Sequence, residues 1–140
     1  MNIFKNICWI VLGVIFCSYL FAEENKLDVN TILINIDPDK VNKAQVKEYF
    51  KEIHGKIARG EGKVINILPG NKENFRIRIL TSASSPEKGY NVVLFTTQDA
   101  TSGISAGDII IFEGMVERIN AFQGASLDIH GTCWKKSNVN

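Results

Sequence analysis

"AGDIIIFEGMVERI", residues 106–119, places four bulky β-formers in a row, Ile109 to Phe112, between a Gly-Asp pair and Glu113-Gly114. Gly107-Asp108 has the chemistry of a turn that launches a strand. Glycine inside a strand gives up backbone entropy and offers no side chain to pack, so it is kept out unless geometry demands it. Gly114, in the middle of the longest apolar run, therefore marks a bend or the close approach of another backbone. The Ile109–Phe112 run calls for apolar neighbours on both sides, which a barrel interior and a capping helix would supply.

From residue 57 to the end of the chain the hydrophobic period is two. "KVINIL" (63–68) stops at the turn run "PGNKEN", and "FRIRIL" (75–80) alternates strictly, with Phe75, Ile77 and Ile79 on one face and Arg76 and Arg78 on the other. "YNVVLFTT" (90–97), "DIIIFEGMVERI" (108–119) and "ASLDIHGTCW" (125–134) complete five strands at hairpin spacing. Gly60 and Gly62, early in the first strand, have the same reading as Gly114. The pattern predicts a mainly β chain closed as a five-stranded Greek-key barrel.

"SAGDIIIFEGMV" (105–116) resembles the Gly-Asp, apolar-run, Gly segment that opens the fourth strand of many oligonucleotide/oligosaccharide-binding (OB) folds. The order of a helix, then "GKIARGEGKVINI" (55–67), then that segment is similar to exported bacterial OB domains near the tRNA-anticodon-binding type. The resemblance extends over roughly residues 40–134, most of the chain beyond its first 22 residues. It implies an OB-like barrel and leaves function open, because this fold hosts many unrelated ones. OB folds usually carry a helix between strands three and four, whereas "QDATSGISAG" (98–107) has room for a turn.

Ahead of the strands, "DPDKVNKAQVKEYFKEIHG" (37–55) reads as one amphipathic helix. Asp37 would cap it, Pro38 suits its first position, and Gly55 suits a left-handed exit. Val46, Tyr49, Phe50, Ile53 and Ile57 form its apolar stripe, while lysines alternating with Glu48 and Glu52 make a solvated face. Residues 23–36 read as a polar leader ending in "TILINI", a short strand or a tucked segment.

The first 22 residues have the layout of a secretory signal: Lys5, then sixteen uncharged residues from Ile7 to Ala22, then "EEN". As a retained anchor this run would span only about 24 Å of a ~30 Å hydrocarbon core unless Ile3 and Phe4 join it. The expected location is therefore exported, periplasmic or secreted, with membrane attachment through residues 3–22 as the alternative. Loss of residues 1–22 removes Lys5 and leaves fifteen basic and fifteen acidic side chains. A neutral domain has no general attraction for polyanions, so nucleic acid is not the expected partner. Cys8 and Cys17 would leave with the signal, so Cys133 has no disulfide partner and reads as a small half-buried residue rather than a reactive thiol.

Catalytic patterns are missing from the sequence, and no enzyme, cofactor or metal is expected. His54, His130 and Cys133 have no metal-ligand spacing. "GKIARGEGKV" places Glu61 where a phosphate loop needs lysine, and "DPDKVN" fails as a calcium loop at Val41. Asp128 and His130 share a strand face near Ser126 but read as outer-face polar residues alternating with Leu127 and Ile129. The candidate binding surface is the one OB folds commonly use, the outer face of strands two and three. It would present Arg76 and Arg78, with Lys63, Asn66 and Tyr90 nearby, to an unidentified protein, peptide or glycan of the cell envelope; the alternative is single-stranded nucleic acid. Removal of the signal predicts a mature N-terminus at or near Glu23 by mass spectrometry. Intact Met1 in the membrane fraction would establish an anchor instead.

Overall fold

The computed structural model describes residues 25–84 and 86–137. The segment read as an export signal, residues 1–22, lies outside them. The described chain runs β1 (Leu27–Asp28), α1 (Val29–Asn35), α2 (Lys43–Ile53), β2 (Ile57–Leu68), β3 (Phe75–Leu80), β4 (Val92–Thr96), a 3-10 turn at Asp99–Thr101, β5 (Ile109–Asn120) and β6 (Ser126–Lys135).

Strands β2, β3, β4, β6 and β5 pair in that order, and β5 returns to pair with β2, which closes the barrel. All of these pairings are antiparallel except β4 with β6. The fifth barrel strand thus lies between its hairpin partner and the third strand, the Greek-key order of an OB barrel. As residues 98–107 had room for, only the 3-10 turn connects β4 to β5. Buried Ile104 follows it, and Cys133 of β6 donates its thiol to the Ala100 carbonyl oxygen at 3.5 Å.

Alternation places the core. Ile77, Ile79, Leu94, Ile110, Phe112, Leu127 and Ile129 are all at 0% exposure. The Ile109–Phe112 run departs from the two-sided burial expected of it: Ile110 and Phe112 point inward, while Ile109 is 41% exposed. A barrel wall has one apolar side, and α1 covers part of the interior rather than the outside of β5. The turn that launches β5 is held as read: Ser105 donates its backbone N–H to Asp108 at 2.9 Å, and Lys135 pairs with the same carboxylate at 3.1 Å. Both contacts, the backbone one first, hold the Asp108 carboxyl below its ordinary range.

The "TILINI" end of the expected leader is tucked into the core, one of the two readings given for it, and does so as part of a helix that begins at Val29. Asp28 caps α1 by accepting from the Thr31 backbone N–H at 2.8 Å. Val29, Ile32, Leu33 and Ile36 are 0–1% exposed. α1 fits because Gly60 makes room for it: a Cβ there would lie 2.8 Å from the Val29 Cβ and 2.7 Å from the Phe112 ring. The following helix starts five residues later than expected, capped by Asn42 rather than Asp37. Asp37 instead accepts from the Asp39 N–H, and Asn42 caps α2 in a reciprocal box with Gln45, each contact at 3.0 Å. Ile53 is buried and Val46, Tyr49 and Phe50 pack on the core. Ile57 belongs to β2 and is 41% exposed, so the stripe ends at Ile53.

Gly114 pairs directly with Gly131 across β5 and β6. A Cβ on Gly114 would lie 2.2 Å from the His130 carbonyl oxygen, and one on Gly131 would lie 2.0 Å from that of Glu113. Close backbone approach is therefore what this glycine provides. Gly114→Val should lower stability by about 1–3 kcal/mol, the scale of overpacking, while the outward Met115→Val stays within about 0.5 kcal/mol. Urea unfolding of both variants measures the difference; equal midpoints would mean the two strands separate there without cost.

Candidate ligand face

β3 projects Arg76 and Arg78 outward, separated by about 6.6 Å of strand. Cross-strand register builds two rungs from them. Arg76 pairs with Phe95 of β4, which pairs with His130 of β6, which pairs with Met115 of β5. Arg78 pairs with Val93, then Asp128, then Arg118. The rings of Phe95 and His130 stack with centroids 4.8 Å apart.

Of the residues expected at this face, the structure brings Asn66, Arg78 and Tyr90 together, with Arg76 one rung away. The Arg78 guanidinium lies over the Tyr90 ring at 4.8 Å and the Lys88 ammonium over it at 5.1 Å. Tyr90 precedes β4 and is positioned by its neighbour. Asn91 is fully buried, accepts the Thr81 N–H at 2.9 Å and donates to the Thr81 hydroxyl at 3.0 Å. Asn66 lies opposite Arg78. In a regular strand residues 63 and 66 would face opposite ways. A register shift between Val64 and Asn66 inserts one residue and turns both outward. Lys63 is nevertheless displaced, paired with Leu80 on one side and Ile109 on the other.

Phe95, His130 and Lys88 were missed by sequence reasoning. Phe95 alternates with inward Leu94 and could have been read as outward, but its neighbours come from the parallel β4–β6 pairing, which no local pattern encodes. A second register shift, between Val116 and Arg118, turns Arg118 outward opposite Asp128, while Glu117, on the same face as Met115, has its carboxylate against His130 Nε2. Ser126 accepts from Lys88 Nζ at 2.8 Å. Serine, histidine and aspartate therefore have separate partners and make no relay. Burial lowers the Lys88 pKa from its ordinary value, opposed by the nearby Asp128 charge. Burial likewise raises the Asp128 pKa, with the Arg118 charge opposing it.

No family model matches the chain, and no curated protein does. Among solved structures it is similar to an OBody, AM3L09, bound to hen egg-white lysozyme, at 16% identity over 60% of this chain and 84% of that one, TM-score 0.45. It is also similar to Schizosaccharomyces pombe Pot1pC bound to ssDNA, at 13% identity over 62% and 83%, TM-score 0.39. A third is aspartyl tRNA synthetase from Entamoeba histolytica, at 12% identity over 64% of this chain and 20% of that one, TM-score 0.43. The OB assignment rests on strand order and register.

Cys133 is 6% exposed on the inner side of β6, and burial pushes its thiol pKa up to about 11. A raised folded-state value favours the thiol, so this contribution to stability is present below the ordinary pKa and is lost as pH climbs toward 11. Thiol labelling at neutral pH should be at least about tenfold slower in the native protein than in urea, following the smaller thiolate fraction. Equal rates would mean that the site opens freely.

Proposed function

We propose that this chain is a small, exported, non-catalytic OB-fold module of the cell envelope that holds an acidic protein, peptide or glycan on the outer face of β3 and β4. Export is supported by Lys5 and the uncharged run from Ile7 to Ala22, followed by Glu23 and Glu24. The observation that carries the ligand class is the state of the aromatic rings on this face. Tyr90 lies against two cations and Phe95 against His130. The Tyr90 ring holds the Arg78 guanidinium in place, and a fixed guanidinium suits bidentate recognition of a carboxylate. Single-strand binders instead need open ring faces on which successive bases stack.

Single-stranded nucleic acid is the second reading, favoured by the two arginines at alternate positions beside Phe95. Fluorescence titration at two salt concentrations separates the readings, with labelled oligoglutamate, oligoalginate and a single-stranded oligonucleotide as probes. A carboxylate probe should bind, and Arg76→Ala/Arg78→Ala should abolish that binding. The oligonucleotide should bind no tighter than about 100 µM. Micromolar oligonucleotide binding, with a log–log salt slope that drops by about 0.7 for each arginine removed, would overturn the proposal in favour of the second reading.

A further inference from the structure

On a different part of the surface, α2 and the end of β5 flank a groove of about 750 Å³. Its floor is Val46, Phe50 and Ile119, all packed on the core yet partly open. Phe122, on the β5–β6 turn, stands at its rim at 80% exposure. The exposed ring sits on an ordered turn, because the Phe122 backbone N–H donates to Asn120 Oδ1 at 2.9 Å. Large aromatic surface held in water by a fixed turn marks an interaction site rather than a folding remnant.

Charge identifies what would cover it. Lys43 and Lys47, one helical turn apart on α2, border the groove. Neither has an ion-pair partner among the described residues. Among the described residues no carboxylate borders the groove, whereas the cleft on the other side of Phe122 carries Asp37, Asp39 and Glu87. The groove therefore offers an apolar floor with an unopposed cationic edge. Its shape narrows the class of ligand. Small molecules bind tightly where about 70–90% of their surface is enclosed, and a groove with so exposed a rim covers a ligand on one side only. An amphipathic helix needs just that, burying one stripe and leaving the rest in water. The eleven residues of α2 offer a wall of about 16 Å, which matches a partner of about three turns.

We propose that this groove docks an acidic amphipathic helix of a partner protein, its apolar stripe on Val46, Phe50, Ile119 and Phe122 and its carboxylates against Lys43 and Lys47. The surface shares no residue with the ligand face of β3 and β4, so the module would carry two independent attachments.

The test uses the full chain and two labelled synthetic helices with leucines at i, i+3, i+4 and i+7, one flanked by glutamates and the other by lysines. Fluorescence anisotropy gives affinity, and amide NMR shifts of Val46, Phe50 and Ile119 give location. The glutamate peptide should bind and shift those signals. Lys43→Glu/Lys47→Glu should weaken it by about tenfold, the scale of two exposed charge pairs, and should strengthen the lysine peptide. Phe122→Ser should weaken binding while leaving the thermal midpoint unchanged, and Arg76→Ala/Arg78→Ala should leave binding intact. The proposal fails if neither peptide moves those signals, or if both bind alike before and after the charge swap. Loss of binding in the arginine variant would move the peptide to the other face and overturn it too. Shifts produced by laurate and by neither peptide would make the groove a site for a small amphiphile instead.

Discussion

Where β5 crosses β6, two backbones meet with no side chain between them. Gly114 and Gly131 face each other, and a Cβ on either would collide with the carbonyl oxygen of the residue before the other. That contact lets β5 stay paired with β6 along almost its whole length while its first half also pairs with β2. Close the barrel elsewhere and the outer rungs fall out of register: Met115 beside His130, and His130 beside Phe95, are set by the residues flanking this pair. The candidate ligand face thus depends on a crossing to which it contributes no side chain.

Much of this could be read from residue order, because the controlling features are local. A glycine in a run of β-branched residues needs a steric reason wherever it lies. Strict alternation in "FRIRIL" could place its arginines on only one side once the opposite side was apolar. The errors have equally local causes. Asp37-Pro38 and Asn42-x-x-Gln45 are both helix starts, and the second prevails because it satisfies two backbone N–H groups at once. "TILINI" was ambiguous because a seven-residue helix is too short to display a period; its fate is decided by the space that Gly60 leaves.

The site was less legible, and the reason is parity. One inserted residue reverses every facing beyond it, so Lys63 and Asn66 share the outside only because β2 carries a bulge between them. The bulge at Glu117 does the same for Arg118, which it turns outward opposite Asp128. Neither insertion leaves a mark in composition. Phe95 and His130 are adjacent through a parallel pairing between strands far apart in the chain, which only the closed barrel specifies. Arg76 and Arg78, lying on one uninterrupted strand, needed neither kind of information.

A chain of net charge +1 that gathers cations at two surfaces has to place its carboxylates with care. Three of them are paired away from these surfaces, Glu113 with Lys26, Glu61 with Lys136 and Asp108 with Lys135, while Asp128 and Glu117 stay at the candidate face beside Arg118 and His130. Exposed pairs like these add little stability, because solvent screens them and side-chain entropy opposes them. Their effect is on distribution. Each carboxylate engaged near β5 is one fewer competing for Arg76, Arg78, Lys43 or Lys47. At an ionic strength where the Debye length is about 10 Å, fields from the far side of the barrel barely reach these groups. What a ligand would meet is the local charge, and the small net charge of the chain constrains it very little.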